Sequence, residues 1–510
     1  MSKVLQSAKL ISVLTLVSRI LGLVRDIVCA HAFGTEVVWS AFRMGFQIPN
    51  LFRRLFGEGA LSAASIPVLT ETLARDSKGA TDVLAGRLLG LQLAVLAGLC
   101  IIGECVVAGL YWVYGGDSDN ALTFALTGLM LPYMIFICTA AVLGGVQNVF
   151  GRFASPAAAP IILNIFMIAA AWLAPRVVPG GMRRQIVLLA AAVVVSGIFQ
   201  LAWQWLSARQ CGLRLPLRIN TRDPNIRRIC VTMLPMMGGL AVVPISSLLD
   251  NLIAYWFVPE RVGPAILGYA QELYQFPLGV FAIAMATAIF PTLAKHVADN
   301  DIPGMKATLA RGIRVVEFEA LPCMVGLILV RDPLVRTLFE RGQFAENPDS
   351  APRVAFALYM YALGIIAYGV NHLLVRTFYA MHDAKTPLRV SVINVVINFA
   401  VNLVLVQTAL REAAMGLSTS VCAMGQVVAL SVLLRRRIGP LAWGEIGRSV
   451  TRSAAATVIM ALTVLVVDHY VDGSLRPLYR LVILVCTGGI AYLGAAFVLG
   501  CQEMREMLRK

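Results

Sequence analysis

Apolar residues fall into long runs along the whole chain, and polar residues are confined to short connections between them. Fourteen runs can be counted, at roughly 10–33, 37–69, 83–110, 121–149, 156–175, 185–208, 228–257, 264–292, 311–330, 352–381, 386–408, 412–434, 449–470 and 478–500. Each reaches the ~20 residues that a helix needs to cross a bilayer core of about 30 Å. Within lipid, backbone polar groups must be satisfied inside the segment, so runs of this length predict helices. The predicted fold is all-α and polytopic, with about 14 transmembrane helices. The connections are too short to hold a folded soluble domain. The first run starts near Leu10, is too long for a signal-peptide core, and is followed by no small-x-small cleavage site. It predicts a spanning helix.

Composition agrees. Charged residues make up 14% of the 510, against about 25% in soluble domains, and the mean hydropathy is +0.77. The net charge of +15 would suggest nucleic acid in a soluble protein. Here its distribution explains it, and no nucleic-acid partner is expected. With the N-terminus placed in the cytoplasm, 24 of the 43 Lys and Arg fall on inside loops and tails and 11 on outside loops. The positive-inside rule then predicts a multi-pass protein of the bacterial plasma (inner) membrane with both termini cytoplasmic. The six arginines of 209–228 mark a cytoplasmic link between two halves. They either signal orientation or bind anionic lipid. The ten cysteines are scattered, form no CxxC pair and lie away from the five histidines, so neither a zinc site nor a disulfide framework is expected.

An internal repeat accompanies the two halves. Gln47-Ile48-Pro49 matches Gln275-Phe276-Pro277 at an offset of 228, and Asn164 matches Asn394 at an offset of 230. Segment 5 opens at Pro156 and segment 11 at Pro387, each after a short basic loop. The unit is six helices, duplicated. The predicted organisation is an N-terminal six-helix lobe (1–208), a basic linker (209–227), a C-terminal six-helix lobe (228–436), and helices 13 and 14 with a cytoplasmic tail (437–510).

Charge inside a membrane is costly, about 2.5–3.5 kcal/mol per Arg at a helix centre. Yet Arg19, Arg25, Arg43, Arg53 and Arg54 all lie in the first two segments, with Asp26 and Glu58 as the acids inside those segments. Two acids do not neutralise five arginines, so several are expected to line a wet cavity. Arginine suits a phosphate, because its planar fork donates two parallel hydrogen bonds. Pro49 lies mid-span, and Gly57 and Gly59 follow the arginine pair. Broken backbone at membrane depth is tolerated where it lines a cavity. Asp250 and Asn251 lie mid-span in segment 7, and Asn394, Asn398 and Asn402 share one face of segment 11. Such oxygens either bind Na⁺ or relay a proton, or hydrogen-bond between helices. Glu272 is a further lone intramembrane acid. No catalytic motif and no phosphate-binding loop for ATP is present, so a transporter is expected rather than an enzyme.

At these residues the chain resembles the MurJ (MviN) family of lipid II flippases, within the multidrug/oligosaccharidyl-lipid/polysaccharide exporter superfamily. The resemblance rests on Ser18-Arg19-Ile20-Leu21-Gly22-Leu23-Val24-Arg25-Asp26, on Pro49-Asn50-Leu51-Phe52-Arg53-Arg54-Leu55-Phe56-Gly57-Glu58-Gly59-Ala60, on Phe276-Pro277-Leu278-Gly279-Val280, and on Phe378-Tyr379-Ala380 with Asp383-Ala384-Lys385-Thr386-Pro387. It implies two six-helix lobes around a central cationic cavity, with helices 13 and 14 forming a groove for the lipid tail. It implies headgroup contacts from Arg19, Arg25 and Arg53, to which Arg43 and Arg54 are added from their position. It implies alternating access driven by membrane potential, with Na⁺ bound in the C-terminal lobe. Asp250, Asn394 and Asn398 are the candidate ligands, with H⁺ the alternative coupling ion. The implied partners are lipid II, membrane lipids and cell-wall synthesis proteins, and a monomer is expected. Two departures stand out. Ser40 occupies a position that is usually acidic, and Ala270-Gln271-Glu272-Leu273 carries an acid where the family usually has an arginine. Glu272 is expected to act with Asp26 and Glu58 in the cavity, pairing with Arg43 or Arg54. The rival readings are a flippase for another polyprenyl-diphosphate-linked oligosaccharide, a drug exporter of the same fold, a non-transporting cell-wall scaffold, and a membrane enzyme acting on lipid-linked sugars.

Overall fold

A computed structural model describes residues 3–57, 59–280, 282–471 and 475–504, and among them every regular element is a helix. All fourteen predicted segments are helical. The first is α1 (Lys3–Phe33). The second is interrupted: α2 (Val37–Phe52) runs into a π-helical turn, Arg53–Gly57, and resumes as α3 (Ala60–Arg75). Then follow α4 (Lys78–Tyr114), α5 (Ser118–Met130), α6 (Tyr133–Val149), α7 (Ala154–Val177), α8 (Met182–Gln210) and α9 (Pro224–Phe257). After these come α10 (Gly263–Val280), α11 (Ala282–Ala298), α12 (Ile302–Phe339), the single turn α13 (Gln343–Glu346), α14 (Ser350–Ala362) and α15 (Ile365–Ala380). The chain closes with α16 (Lys385–Leu405), α17 (Ala413–Ile438), α18 (Trp443–Tyr470) and α19 (Pro477–Val498).

Ten helices or in-line helix pairs are long and apolar enough to cross a membrane, and the α14–α15 pair, bent by 43°, makes an eleventh. Length and apolarity alone therefore do not reach the expected fourteen. The segments that fall short are α1, α2–α3 and α12, and each carries internal charge: Arg19, Arg25 and Asp26 in the first, Arg43, Arg53 and Arg54 in the second, Arg311, Arg314, Glu317 and Glu319 in the third. The repeat has a structural echo. The second segment of each half is split, α2–α3 in one and α10–α11 in the other. The fourth is split as well, at Leu131-Pro132 and at Leu363-Gly364.

The chain separates into two compact units. Unit 1 comprises Met1–Leu252 with Gly342–Phe344, and unit 2 comprises Ile253–Arg341 with Ala345–Lys510. The core of unit 1 joins α3, α4, α6, the end of α8 and the start of α9 through Leu69, Leu88, Leu89, Leu143 and Ile229, all nearly inaccessible. Unit 2 is built around α12. One of its faces packs Leu309 and Ile313 against Leu293, Leu373 and Leu430. Its later turns pack Phe318 and Val330 against Met460, Leu484 and Tyr492 of α18 and α19. The Tyr492 hydroxyl donates to the Phe318 carbonyl at 2.5 Å.

The basic linker is not loose. Residues 213–220 run without regular structure beside α4, and Leu213 is buried. Gly86 and Gly90 of α4 make room for it: a Cβ on Gly86 would lie 2.3 Å from the Pro216 carbonyl oxygen, and one on Gly90 2.8 Å from that of Arg218. The Arg214 amide donates to Asp82 at 2.9 Å, Arg87 pairs with Asp223, and Arg228 donates to Glu71 at 2.8 Å. The Arg228 hydrogen bond, helped by Arg75, holds the Glu71 carboxyl below the usual carboxylate range.

Candidate functional site

The arginines of unit 1 are positioned by α1 and by the interrupted α2. On α2, residues spaced three and four apart share a face. One face is aromatic: Trp39 stacks on Phe42 at 5.1 Å, Phe42 on Phe46 at 6.0 Å, and Phe46 meets Tyr133 of α6 at 6.0 Å. Phe33 extends the ladder at 6.0 Å from Trp39. Another face is polar and reads Ser40, Arg43, Gln47, Asn50 and Arg54. Ser40 is buried, Arg43, Gln47 and Asn50 are half-buried, and Arg54 is exposed. The ladder anchors the helix through apolar burial, and the polar stripe lies off that packed face.

Pro49 is buried near the end of α2, and the helix changes to π geometry four residues later. Proline supplies no amide donor for the ladder, and π-turns frequently sit at functional positions. Arg53 opens the π-turn and donates through Nε to the Asn50 side-chain oxygen at 2.9 Å. Gln47 donates to the Ser247 hydroxyl of α9 at 3.2 Å. Gly59 closes the break. A Cβ there would lie 2.7 Å from both the Arg54 carbonyl oxygen and Leu240 of α9, so the residue permits a close approach of backbone and helix. Glu58 lies outside the described residues.

Arg25 of α1 is held by a carboxylate and by an amide. Its guanidinium binds Asp26, with Nε to Oδ1 at 2.9 Å and Nη2 to Oδ2 at 3.1 Å, and Asp26 is only 3% exposed. Its Nη1 donates to Asn164 Oδ1 of α7 at 3.2 Å, and the Asn164 amide donates to the Ser18 carbonyl at 3.1 Å. Arg19 lies on the exposed surface of α1, and Arg43 is half-buried on α2. The structure thus unites Arg25 with Asp26 and Arg53 with Asn50. Asn164 and Asn50 were not among the expected site residues. Neutral amides leave no mark in a count of charges, although the repeat had singled out Asn164.

The candidate cation ligands divide between the units. Asp250 is buried in α9 of unit 1, where the neighbouring Asn251 amide donates back to the Ser247 carbonyl at 2.8 Å. Asn394, Asn398 and Asn402 lie on α16 of unit 2, facing α17. Asn402 donates to Asn398 Oδ1 at 3.1 Å, Asn398 to the Ser418 hydroxyl at 3.1 Å, and Ser418 in turn to Asn402. Asn394 donates to Gln426 at 3.2 Å, and Gln426 to Ser391 at 2.9 Å. These amides bridge α16 and α17. Among the described residues no cluster of three or more His, Cys, Asp or Glu could hold a metal ion. Glu272 lies on α10 of unit 2 and is exposed, beside Gln271, whose amide donates to the Tyr361 hydroxyl at 3.0 Å.

A family model described as lipid II flippase MurJ matches residues 29–485. A Burkholderia cenocepacia protein named lipid II flippase MurJ is 32% identical over 443 residues, 84% of this chain and 83% of its own. A Vibrio cholerae protein named probable lipid II flippase MurJ is 33% identical over 413 residues, 78% of this chain and 77% of its own. Among solved structures, an inward closed conformation of lipid II flippase MurJ is similar with a TM-score of 0.77 at 22% identity, covering 98% of this chain and 99% of that one. An inward-facing multidrug-resistance MATE family transporter, described as one of the MOP superfamily, reaches 0.71 at 14% identity, over 84% and 96%. The structural likenesses establish the fold. With the family model spanning nearly the whole chain, the sequence belongs to the MurJ family of lipid II flippases.

Proposed function

We propose that this protein moves lipid II, an undecaprenyl-diphosphate-linked muropeptide, from the cytoplasmic to the outer leaflet of the bacterial inner membrane, by alternating access and without enzymatic chemistry. The observation that carries the reading is the set of arginines on α1 and on the interrupted α2, in a chain of the lipid II flippase family. A diphosphate with peptide carboxylates cannot cross hydrocarbon at a useful rate, because a bare charge there loses its hydration. A water-lined, arginine-rich cavity replaces that hydration, while the prenyl tail stays in lipid. Arg19, Arg25, Arg43, Arg53 and Arg54 receive the headgroup. Asp26 orients Arg25, and Glu58 and Glu272 offset cavity charge between turnovers.

The two six-helix lobes (1–208 and 228–436) alternate around this cavity, and helices 13 and 14 guide the tail. With both termini cytoplasmic, a cytoplasm-negative potential favours outward movement of the anion by about 2.3 kcal/mol per charge per 100 mV. The same field favours inward return of the empty cationic cavity. Na⁺ or H⁺ acting through Asp250, Asn394 and Asn398 assists one of these steps. Asn394 donates its amide nitrogen to Gln426, so its oxygen is the atom that would take a cation. The protein acts as a monomer beside the cell-wall synthesis machinery. The second reading, a flippase for another polyprenyl-diphosphate-linked oligosaccharide, is favoured by Glu272, an acid where the family usually has a base.

Complementation tests the proposal. A bacterial host depleted of its own lipid II flippase receives this chain, and outer-leaflet lipid II is scored. Restored flipping that Arg25→Ala and Arg53→Ala both abolish supports it. A well-expressed, membrane-inserted protein that restores nothing would shift the substrate to another lipid-linked glycan.

A further inference from the structure

Unit 2 carries a second basic site, away from α1 and α2 in sequence and outside the arginine set used above. A cavity of about 220 Å³ opens where one end of α18, the residues just after α19 and the first third of α12 meet. Its basic groups are Arg314 of α12 and Arg448 and Arg452 of α18; its acids are Glu445 and Glu503. Three guanidinium groups against two carboxylates leave the cavity cationic.

The acids do not satisfy the bases. Glu503 is 3% exposed and accepts from the Ser449 hydroxyl at 2.9 Å. It stands 3.6 Å from Arg314 Nε, beyond good hydrogen-bond distance, and Nε is buried without a hydrogen-bond partner. The other contacts of Arg314 are also long, 3.8 Å to Glu445 and 3.4 Å to Gln502. Arg452 reaches the Gly500 carbonyl at 3.0 Å, capping the end of α19. Arg448 is exposed and enters no hydrogen bond or ion pair among the described residues. A buried donor without an acceptor is costly, and an anion with several oxygens between Arg314 and Arg448 would relieve it.

The surroundings specify the kind of anion. From the cavity, α18 and α19 run into apolar surface, with Leu462 and Val466 on one helix and Leu493 and Phe497 on the other all more than half or nearly half exposed. The cavity lies beside the basic connection 435–452, at a helix end, where a membrane presents lipid headgroups. Basic pockets between spanning helices at this depth suit lipid phosphates. We infer that Arg314, Arg448 and Arg452 form a binding site for the phosphate of an anionic phospholipid in the surrounding leaflet, with its acyl chains along α18 and α19. The phosphate-binding arginines are separate from those proposed to receive the transported headgroup.

Native mass spectrometry of the full chain, titrated separately with phosphatidylglycerol, phosphatidylethanolamine and undecaprenyl diphosphate, tests it. The expected result is preferential retention of phosphatidylglycerol, with affinity reduced about fivefold in Arg448→Gln, the equivalent of one basic residue at a membrane surface, and further in Arg448→Glu. Gln502→Glu removes no guanidinium and adds a carboxylate to the wall. It should weaken phosphatidylglycerol as well, and it guards against a folding defect at Arg448. Equal binding of both phospholipids, unchanged affinity in all three variants, or displacement of phosphatidylglycerol by undecaprenyl diphosphate would each overturn the assignment.

Discussion

Arg25 of α1 donates to Asn164 of α7 at 3.2 Å, and the same carboxamide donates to the Ser18 carbonyl, about two turns earlier on the same face of α1, at 3.1 Å. Asn164 therefore fixes the guanidinium and the helix that carries it. Under the proposed function, Arg25→Ala removes a charge-assisted phosphate contact worth about 1.5–3 kcal/mol, roughly 10–100-fold in headgroup affinity. Arg25→Lys should recover only part, since an ammonium cannot reproduce the fork. Asn164→Ala should be milder, because Asp26 still holds the guanidinium. Outer-leaflet lipid II accessibility in complemented cells reads all three. An Asn164→Ala defect as deep as that of Arg25→Ala would show that Asp26 alone cannot position the group.

The helical plan was legible because hydropathy reports burial in lipid directly, and Pro49 marked the break in the second segment, whereas the breaks at Pro132 and Gly364 lie inside runs that read as continuous. The span count was less legible at α1, α2–α3 and α12. Charges there lower the hydropathy of segments that are nevertheless helical. The candidate site was legible as a set of arginines but not as an arrangement. Counting acids against bases left most of the arginines unanswered, whereas Asn50 and Asn164 answer Arg53 and Arg25 with neutral oxygens. The π-turn at Arg53–Gly57 has no sequence signature beyond the neighbouring proline and glycines. The cationic cavity around Arg314 joins residues about 130–190 positions apart, a juxtaposition that no local pattern encodes.

Glu272 offers a test of substrate handling. Glu272→Arg restores the charge usual in the family at this position. If the acid tunes the cavity for lipid II, Glu272→Arg should strengthen headgroup binding and slow release, so that flux falls while affinity rises. Glu272→Gln should lie between. Lipid II binding by the purified variants, set against flipping in cells, separates the two effects. Wild-type values for both in Glu272→Arg would place Glu272 outside the substrate path.

Cation coupling through Asp250, Asn394 and Asn398 predicts ligand-dependent stability. A ligand at about 100 times its Kd stabilises the state it binds by roughly 2.7 kcal/mol. Thermal unfolding in Na⁺ should exceed that in choline for the wild type, and the difference should vanish in Asp250→Asn. Asn398→Leu should do the same and should also lower stability in choline by about 0.6–1.7 kcal/mol, the range for interhelical hydrogen bonds in membranes, because its bonds to Ser418 and Asn402 are lost. Identical Na⁺ and choline curves for the wild type would reduce this ladder to a packing element.

Asp301 gives a pH dependence outside the membrane. It caps α12, accepting from the Gly304 amide at 2.8 Å and from His296 Nδ1 at 2.8 Å. The Gly304 amide bond, with help from His296, holds its carboxyl below the usual aspartate range. The folded group thus ionises at lower pH than the unfolded one. The cap contributes fully above the ordinary value of about 3.9 and is lost as pH falls through the lowered folded value. Asp301→Asn should lower the unfolding temperature at pH 7 and flatten its decline below about pH 4. A wild-type decline retained in Asp301→Asn would assign the acid sensitivity to other carboxylates.

The linker beside α4 predicts a steric lock. Gly86 faces the Pro216 carbonyl so closely that any side chain must displace the linker backbone, and Asp82 and Asp223 hold the same stretch by a backbone amide and by Arg87. Gly86→Leu should therefore lift residues 213–220 from α4, at an overpacking cost of about 1–3 kcal/mol. The released segment carries Arg214 and Arg218, with Arg222 just beyond, and with the linker in the cytoplasm these become trypsin sites in inside-out vesicles. Cleavage there should be slow in the wild type and fast in Gly86→Leu. Asp223→Asn, which weakens one tether without a clash, should give an intermediate rate. Because the linker joins the last helix of the first half to α9, the same variants report whether its docking also governs transport. Faster cleavage with unchanged flipping would make it a passive tether. Faster cleavage with reduced flipping would make the docked linker part of the moving frame. Wild-type protection in Gly86→Leu would mean that a side chain fits at this position without lifting the linker from α4, contrary to the 2.3 Å that would separate a Cβ on Gly86 from the Pro216 carbonyl oxygen.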